Sequence, residues 1–549
     1  MADTHTNSVD ERLRALFDPY ARTGQPGMVV GVAHKGRILV RRGLGMASLE
    51  QSTANTPWTR MNLGSTAKHM TSIAVLLLAE QGKLDIDQPV RTWIPELQPD
   101  GPQPTLRQLM NHTSGLRCYL DLSFFCDGMS MKPVGYALAV QSRQRDRNFA
   151  PGDQMLYCNG GYFLLSLVVE RAGGMPFRDF LRTHLFEPLG MHDTVQVGSD
   201  MELHEGMATL HVRQPDGGWQ RGIFPTKEAR GDGAVITTID DMLRWLAHLR
   251  APGRVGRPET WAQLSQRSRL NNGLELDYGL GLVRSDYRGV ETIHHAGGII
   301  GGSCQMLTVP AHELDIIIMT NGVPVDPSAL ANQVVDAVLG DAVLGPPRAT
   351  RHAEAAQYAP LVGRRYHSPE TGLLIGFGDA DGKLGFSLVG NYLMPLAQAD
   401  GRLHLGYAES GVGPFDVDVA PLPHGAAAPA ELRVAECGQY ARFTLLPDTA
   451  GPDAEAGLEG DYVSPDMAAT MTIARADGAL VMHVRDDYGR AQMDLTPLAP
   501  QVALWRVRSH VLPIPGALNI ERDATGRVTG LRMDGARTRH VWFRRTGHA

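Results

Sequence analysis

The run "IAVLLLA" at residues 73–79 is the strongest constraint on this chain, because read as a helix it is apolar on every side. Such a helix cannot lie on a surface, so it demands a domain large enough to enclose it. The polar stretch before it, "NLGSTAKHMTS" (62–72), carries Ser65 three positions ahead of Lys68. Positions i and i+3 share a helix face, so the Lys68 amine can reach the Ser65 hydroxyl. A serine needs a base to become a nucleophile, and a buried lysine loses solvation and becomes a better base. The first turn also leaves backbone N–H groups unpaired at the positive end of the dipole, which favours a developing oxyanion.

Around this helix the periodicities alternate. Residues 8–22 read as an amphipathic helix, and "GMVVGVAHKGRILVRRGLG" (27–45) reads as a hairpin with a Lys-Gly turn. Helices are expected near 105–111, 161–172, 175–187 and 238–249, the last with Thr238 as N-cap. Strands are expected at 279–285, 291–296 and 303–310, with "LDIIIMTNG" (314–322) as a central strand and a helix at 327–339. This order places both ends of a unit spanning 1–345 in one sheet, with the helices between.

A Pro/Arg/Ala-rich hinge follows at 344–357, after which short alternating strands take over. "LVGRRYHSP" (361–369) and "LEGDYVSP" (458–465) echo one another, and each leads to a similar ending at 431–446 and 530–545. Two diverged copies of one small antiparallel barrel, 355–448 and 456–549, account for the echo. The arginines of the second copy (Arg522, Arg527, Arg532, Arg537, Arg539, Arg544, Arg545) read as a solvated outer face.

With 549 residues, about three to four domains are expected. A net charge of −7 offers no general attraction to nucleic acid or an anionic membrane. No run is long enough to span a bilayer and no secretory leader is visible, so a cytoplasmic protein is expected. Five scattered cysteines read as reduced thiols of a cytoplasmic protein, and the lack of C-x-x-C or H-E-x-x-H leaves a protein-bound metal with little support.

Two further segments carry chemistry. In "MLYCNGGYFLL", Tyr157 and Asn159 alternate on an extended piece before a helix and can face the same side. A tyrosinate there could serve as base and then as acid to a leaving group. In "IHHAGGIIGG", adjacent histidines on a strand face opposite ways. His295, followed by Ala296 and Gly297, is the one placed for a cleft, and His294 reads as a packed or surface strand residue. Gly298 can add a second oxyanion N–H beside that of Ser65.

Ser-x-x-Lys, Tyr-x-Asn and His-x-Gly in this order resemble the signature of the penicillin-recognising serine hydrolases. "LRQLMNHTSGL", "FEPLGMHDT" and "DYGLGLV" are also similar to that superfamily, over residues 10–340. Within it, "SGLRCYLDLSFFCDG" (114–128), "LYCNGG", "HAGG" and the closing "GRVTGLRMDGARTRHVWFRR" most resemble the D-aminopeptidases, nearly end to end. The resemblance implies an α/β (α+β) β-lactamase/transpeptidase-like domain, with an antiparallel sheet flanked by helices, followed by two antiparallel barrels. It implies a serine acyl-enzyme on Ser65, with Lys68, Tyr157, Asn159 and His295 as partners, Ser65 and Gly298 as the oxyanion hole, and no cofactor. The expected substrate is a small D-amino acid peptide, amide or ester, with no nucleic acid or membrane partner; a homodimer stays open.

In that family an acidic residue on a loop of the last barrel meets the substrate's amine. The matching stretch here, "VRSHVLPIPGA" (507–517), contains no acid, and the acidic position falls on Val511. Arg508, His510, Val511, Leu512 and Pro513 form the expected specificity loop, with Pro513 and Pro515 stiffening it. An apolar loop also suits a larger D-amino acid amide, an ester or an N-blocked substrate. A carboxylesterase or β-lactamase-like hydrolase on the same fold is the alternative enzyme, and a non-catalytic binding descendant the alternative class. No G-x-S-x-G occurs, which speaks against an α/β-hydrolase.

Overall fold

Residues 314–320 are buried throughout and 28–34 mostly so, as strands covered on both faces must be. They lie side by side, antiparallel, with Val30 opposite Ile318, although one opens the unit and the other nearly closes it. The computed structural model describes residues 3–547 apart from 127–128, 348–349, 400, 408–410 and 424. Residues 348–349 of the stretch read as a hinge therefore lie outside the described residues.

In chain order the elements that position the site are α1 (Asp3–Phe17), β1 (Met28–His34), β2 (Arg37–Leu44), α2 (Lys68–Glu80), α3 (Tyr119–Cys126) and α4 (Asn159–Gly173). They continue with α5 (Ile239–Arg250), β3 (Val283–Tyr287), β4 (Val290–Ile299), β5 (Gly302–Val309), β6 (Leu314–Thr320) and α6 (Pro327–Leu339). The strands form one antiparallel sheet in the order β3-β4-β5-β6-β1-β2. Val30, Val32, Ile316 and Ile318 on one face pack against Leu13 and Phe17 of α1 and Leu330 and Val334 of α6. The opposite face, with Val29, Ile317 and Met319, packs into the core that holds α2, α4 and α5. This is where the all-apolar helix goes: residues 68–78 of α2 are buried without exception. Thr238 does stand before α5, but its hydroxyl makes no capping bond and is buried without a partner. The start of α5 thus rests on tertiary packing, not on a side-chain cap.

Beyond residue 345 the described residues form strands and loops with short 3₁₀ segments at Ala355–Leu361 and Pro452–Glu455. Strands from Arg365–His367 to Gln439–Leu445 make one nine-stranded antiparallel sheet. Its two outermost strands, Met394–Pro395 and Ala397–Ala399, are consecutive in the chain, so the sheet curls until its edges nearly meet. Strands from Gly460–Ser464 to Val541–Arg545 close into an eight-stranded barrel. The echoed segments occupy equivalent places. Each opens its sheet and pairs with the last strand, Tyr366 opposite Leu445 and Tyr462 opposite Arg545.

The barrels are fastened to the first unit by buried charge and by aromatic packing. Phe125 of α3 meets Trp505 of the closed barrel edge-on at 5.0 Å. Arg117, 1% exposed, donates to the carbonyls of Arg539 and His540 and pairs with Asp146 and Asp466. Arg539 makes a bidentate pair with Glu436 at 2.6 and 2.7 Å, tying one barrel to the other. The expectation of a solvated arginine face therefore fails for Arg537 and Arg539. Both sit on the hairpin before the last strand, which turns toward the first unit, not toward solvent.

Candidate active site

The serine–lysine pair is set by a change of helix type. Gly64–Ala67 form a 3₁₀ turn that runs into α2, and the Lys68 N–H closes it on the Ser65 carbonyl. A 3₁₀ turn eclipses positions i and i+3, which lays the lysine side chain directly over the serine. Lys68 Nζ lies 3.0 Å from Ser65 Oγ and 2.8 Å from Asn159 Oδ1, and it also donates to the Asp232 carbonyl. The Tyr157 ring centroid is 4.9 Å from the same nitrogen. Lys68 is fully buried, and desolvation lowers its pKa to about 7 against the opposing pull of Asp232.

Tyr157 precedes α4, in a small cluster with Met155, Leu276 and Tyr278 to which the first barrel adds Cys437 and Tyr407. Burial raises its pKa well above the ordinary tyrosine value, offset in part by the facing Ser65 hydroxyl and by Arg537. Its buried hydroxyl completes no hydrogen bond of normal geometry. A resident tyrosinate, one of the roles expected from sequence, is thus disfavoured here.

Strand β4 closes the cleft from the other side. Its pairing with β3 ends at His294, so from His295 onward that edge is open. Gly297 is where the strand meets the turn that carries Ser65: a Cβ there would stand 2.0 Å from the Leu63 carbonyl oxygen. Thr66 Oγ1 donates to the His295 carbonyl at 3.2 Å, a second tie between turn and strand. A Cβ at Gly64 would lie 3.0 Å from the Gly298 carbonyl oxygen and 3.1 Å from its nitrogen, so Gly298 packs against the residue before Ser65, and Ser65 and Gly298 both line the cleft.

His295 is brought to the cleft but not into hydrogen-bond contact with Ser65, Lys68 or Tyr157. Instead it ends a chain that defines every proton. The Cys158 N–H donates to His112 Nδ1 at 3.1 Å, so the His112 proton is on Nε2, which donates to Tyr278 Oη at 3.2 Å. The Tyr278 hydroxyl must then donate to His295 Nε2 at 2.9 Å, and His295 Nδ1–H donates to the Ala296 carbonyl at 2.6 Å. Burial lowers the His295 pKa to about 3, with Lys68 adding to the effect, so its imidazole is neutral with both nitrogens engaged. His294, on the opposite face, bonds to Ser285. Sequence reasoning missed His112 and Tyr278. Both stand in segments that carried the resemblance, "NHTSG" and "DYGLG", but nothing local distinguishes them from packed residues.

Two cavities meet at this point, one of about 560 Å³ and one of about 920 Å³, and both are lined by Ser65, Tyr157, Gly298 and Arg537. The smaller is largely apolar, with Leu120, Phe124, Phe224 and Ile299 among its walls and Asp232 as its carboxylate. Val511 and Leu512 of the expected specificity loop line it, whereas Arg508, His510 and Pro513 do not. Arg508 pairs with Asp494 on the exposed barrel surface, and His510 and Pro513 are exposed. The larger cavity runs along His295 and Gly297 and is walled by His404 and Tyr407 of the first barrel. Among the described residues no group of three or more His, Cys, Asp or Glu could hold a metal ion, and no helix is long and apolar enough to cross a membrane. All five cysteines are free and buried.

Residues 13–340, which hold the layered sheet and Ser65, match the Beta-lactamase family model, and the chain belongs to that family. Over 537 residues it is 27% identical to a D-aminopeptidase of Brucella melitensis, spanning 95% of this chain and 96% of that protein. A D-aminopeptidase of Brucella anthropi is 27% identical over 538 residues, with 95% of each chain covered. Among solved structures, the octameric penicillin-binding protein homologue from Pyrococcus abyssi shares the fold with a TM-score of 0.54 at 19% identity, covering 80% of this chain and 99% of that one. The D-amino acid amidase from Ochrobactrum anthropi complexed with D-phenylalanine does so with a TM-score of 0.51 at 23% identity, covering 61% and 99%.

Proposed function

We propose that the protein is a serine hydrolase that works through an acyl-enzyme on Ser65 and releases N-terminal D-amino acids from peptides, amides or esters. The observation that carries this is the environment of Lys68. With a pKa of about 7, its neutral amine keeps two donor bonds, to Asn159 and the Asp232 carbonyl, and turns its lone pair to the Ser65 hydroxyl. Ser65 Oγ then attacks the substrate carbonyl carbon as its proton passes to Lys68. The Ser65 and Gly298 N–H groups hold the oxyanion. Tyr157, kept protonated by burial, gives its proton to the leaving atom and recovers one from Lys68. A water molecule repeats the sequence to free the acid product. His295, neutral and fixed by Tyr278, holds the open strand edge against which the substrate lies.

The end-to-end similarity to D-aminopeptidases supports the specificity. Because Val511 offers no charge, the acid available to a substrate amine is Asp232, whose Oδ2 is held by the Tyr119 hydroxyl at 2.8 Å. The apolar walls suit a large side chain, which also favours an amidase acting on bulky D-amino acid amides as a second reading. Rates on D-Ala-, D-Phe- and L-Phe-p-nitroanilide, with intact-mass analysis of a slow substrate, test both. The expected result is a Ser65 acyl adduct and D-Phe faster than D-Ala. Equal rates on both enantiomers would reject D-specificity, and undiminished turnover in Ser65→Ala would reject the serine mechanism.

A further inference from the structure

Three arginines stand where the closed barrel meets the rest of the molecule, and one of them is spent differently. Arg117 and Arg539 are 1% and 3% exposed and use their guanidinium groups on carbonyls and carboxylates of the protein. Arg537 is surrounded by protein, yet a third of its side chain is open to the cavities. Among the described residues a single hydrogen bond holds it, Nη2 to Asp121 Oδ1 at 2.7 Å, and the other Asp121 oxygen accepts from Thr538 Oγ1 at 3.3 Å. Its guanidinium carbon is 5.8 Å from the Tyr157 ring centroid, and it borders both cavities beside Ser65. One carboxylate holds the cation, and part of its side chain is left open at the wall of both cavities.

We propose that Arg537 anchors a carboxylate on the leaving-group side of the scissile bond. The preferred substrates are then short peptides, dipeptides above all, whose leaving residue ends in a free C-terminus. This rests on the hydrolase reading and names its substrate class. The side is decided by Tyr157, since Arg537 borders both cavities and each also holds a carboxylate, Asp232 in the smaller and Asp277 and Asp286 in the larger. Tyr157, the acid for the leaving nitrogen, lies against Arg537, and in a dipeptide the leaving residue carries its carboxylate two bonds from that nitrogen. A planar guanidinium matches a carboxylate bidentately, which a lysine would not.

The test compares D-Phe-Gly with D-Phe-Gly-amide and D-Phe-p-nitroanilide, on the full-length wild type, Arg537→Gln and Arg537→Lys. The wild type is expected to favour the free acid over its amide by about tenfold or more in kcat/KM, the discrimination of one charge-assisted bidentate pair. Arg537→Gln should erase that ratio and Arg537→Lys should reduce it, whatever the fall in absolute rate. Equal use of acid and amide by the wild type overturns the anchor, and so does a ratio that survives in Arg537→Gln. If Arg537→Gln does not fold, the wild-type ratio and the Arg537→Lys ratio decide. Turnover of the p-nitroanilide is independent of the carboxylate, so the hydrolase reading can stand while the anchor falls. No turnover of any of the three, with no acyl adduct, overturns both.

Discussion

At the scale of single residues, the site is a set of titrations separated by burial. Lys68 is lowered to about 7, Tyr157 is raised, and His295 is lowered to about 3. A lysine acting as base works only when unprotonated, so kcat/KM should rise with pH near 7 and, for a substrate received as an ammonium by Asp232, fall again as its α-amine, ordinarily about 7.7–8.0, loses its proton. Because His295 is already neutral throughout that range, it adds no further limb. A rise centred near 5 to 6.5 in the pH profile of kcat/KM would show that His295 titrates and would break the Tyr278 chain as drawn. Ser65 and Lys68 were legible from their spacing and from the buried helix behind them. The neutral state of His295 was not, because it depends on Tyr278 and His112, at separations of 17 and 183 positions in the chain.

At the scale of elements, the cleft exists because β4 lies within contact of the 3₁₀ turn ahead of α2. Two adjacent glycines of "HAGG" serve different ends. A methyl at Gly297 would meet the Leu63 carbonyl oxygen at 2.0 Å, so strand or turn must retreat; a methyl at Gly298 meets nothing within 4 Å and points into open space. Gly297→Ala should therefore lower kcat by roughly a hundredfold, as expected for displacing a preorganised oxyanion donor. Gly298→Ala should act mainly on KM by crowding the substrate. Steady-state kinetics on one D-amino acid anilide separate the two. Sequence reasoning placed most of these elements, since "LDIIIMT" and "IAVLLLA" admit few alternatives. It misjudged what starts α5, because a threonine in the N-cap position need not turn its hydroxyl to the helix.

At the scale of the molecule, the first unit supplies Ser65, Lys68 and Tyr157 and part of the cavity walls, and the barrels supply the rest of the walls. Val511, Leu512 and Arg537 come from the closed barrel and Tyr407 from the other, all around a serine more than 300 residues away in sequence. The joint between the barrels combines shared apolar packing with a buried ion pair, Arg539–Glu436, and removing one member of the pair strands the other. Arg539→Met should cost about 3–5 kcal/mol by leaving Glu436 uncompensated. Chemical denaturation would register it, and replacing both residues with apolar ones should restore much of the loss.

What the amino-acid order by itself determined was local or repetitive: the buried helix, the serine and lysine one turn apart, the strand with His295 and its glycines, and the echo that announced two barrels. These follow from periodicity and spacing, which neighbouring residues carry. Only the tertiary structure decided which arginine of the last hairpin faces the cleft, which two loop residues reach it, and which proton sits on which histidine nitrogen. Each of those depends on groups far apart in the chain, and burial alone turns an ordinary arginine, valine or histidine into part of a site.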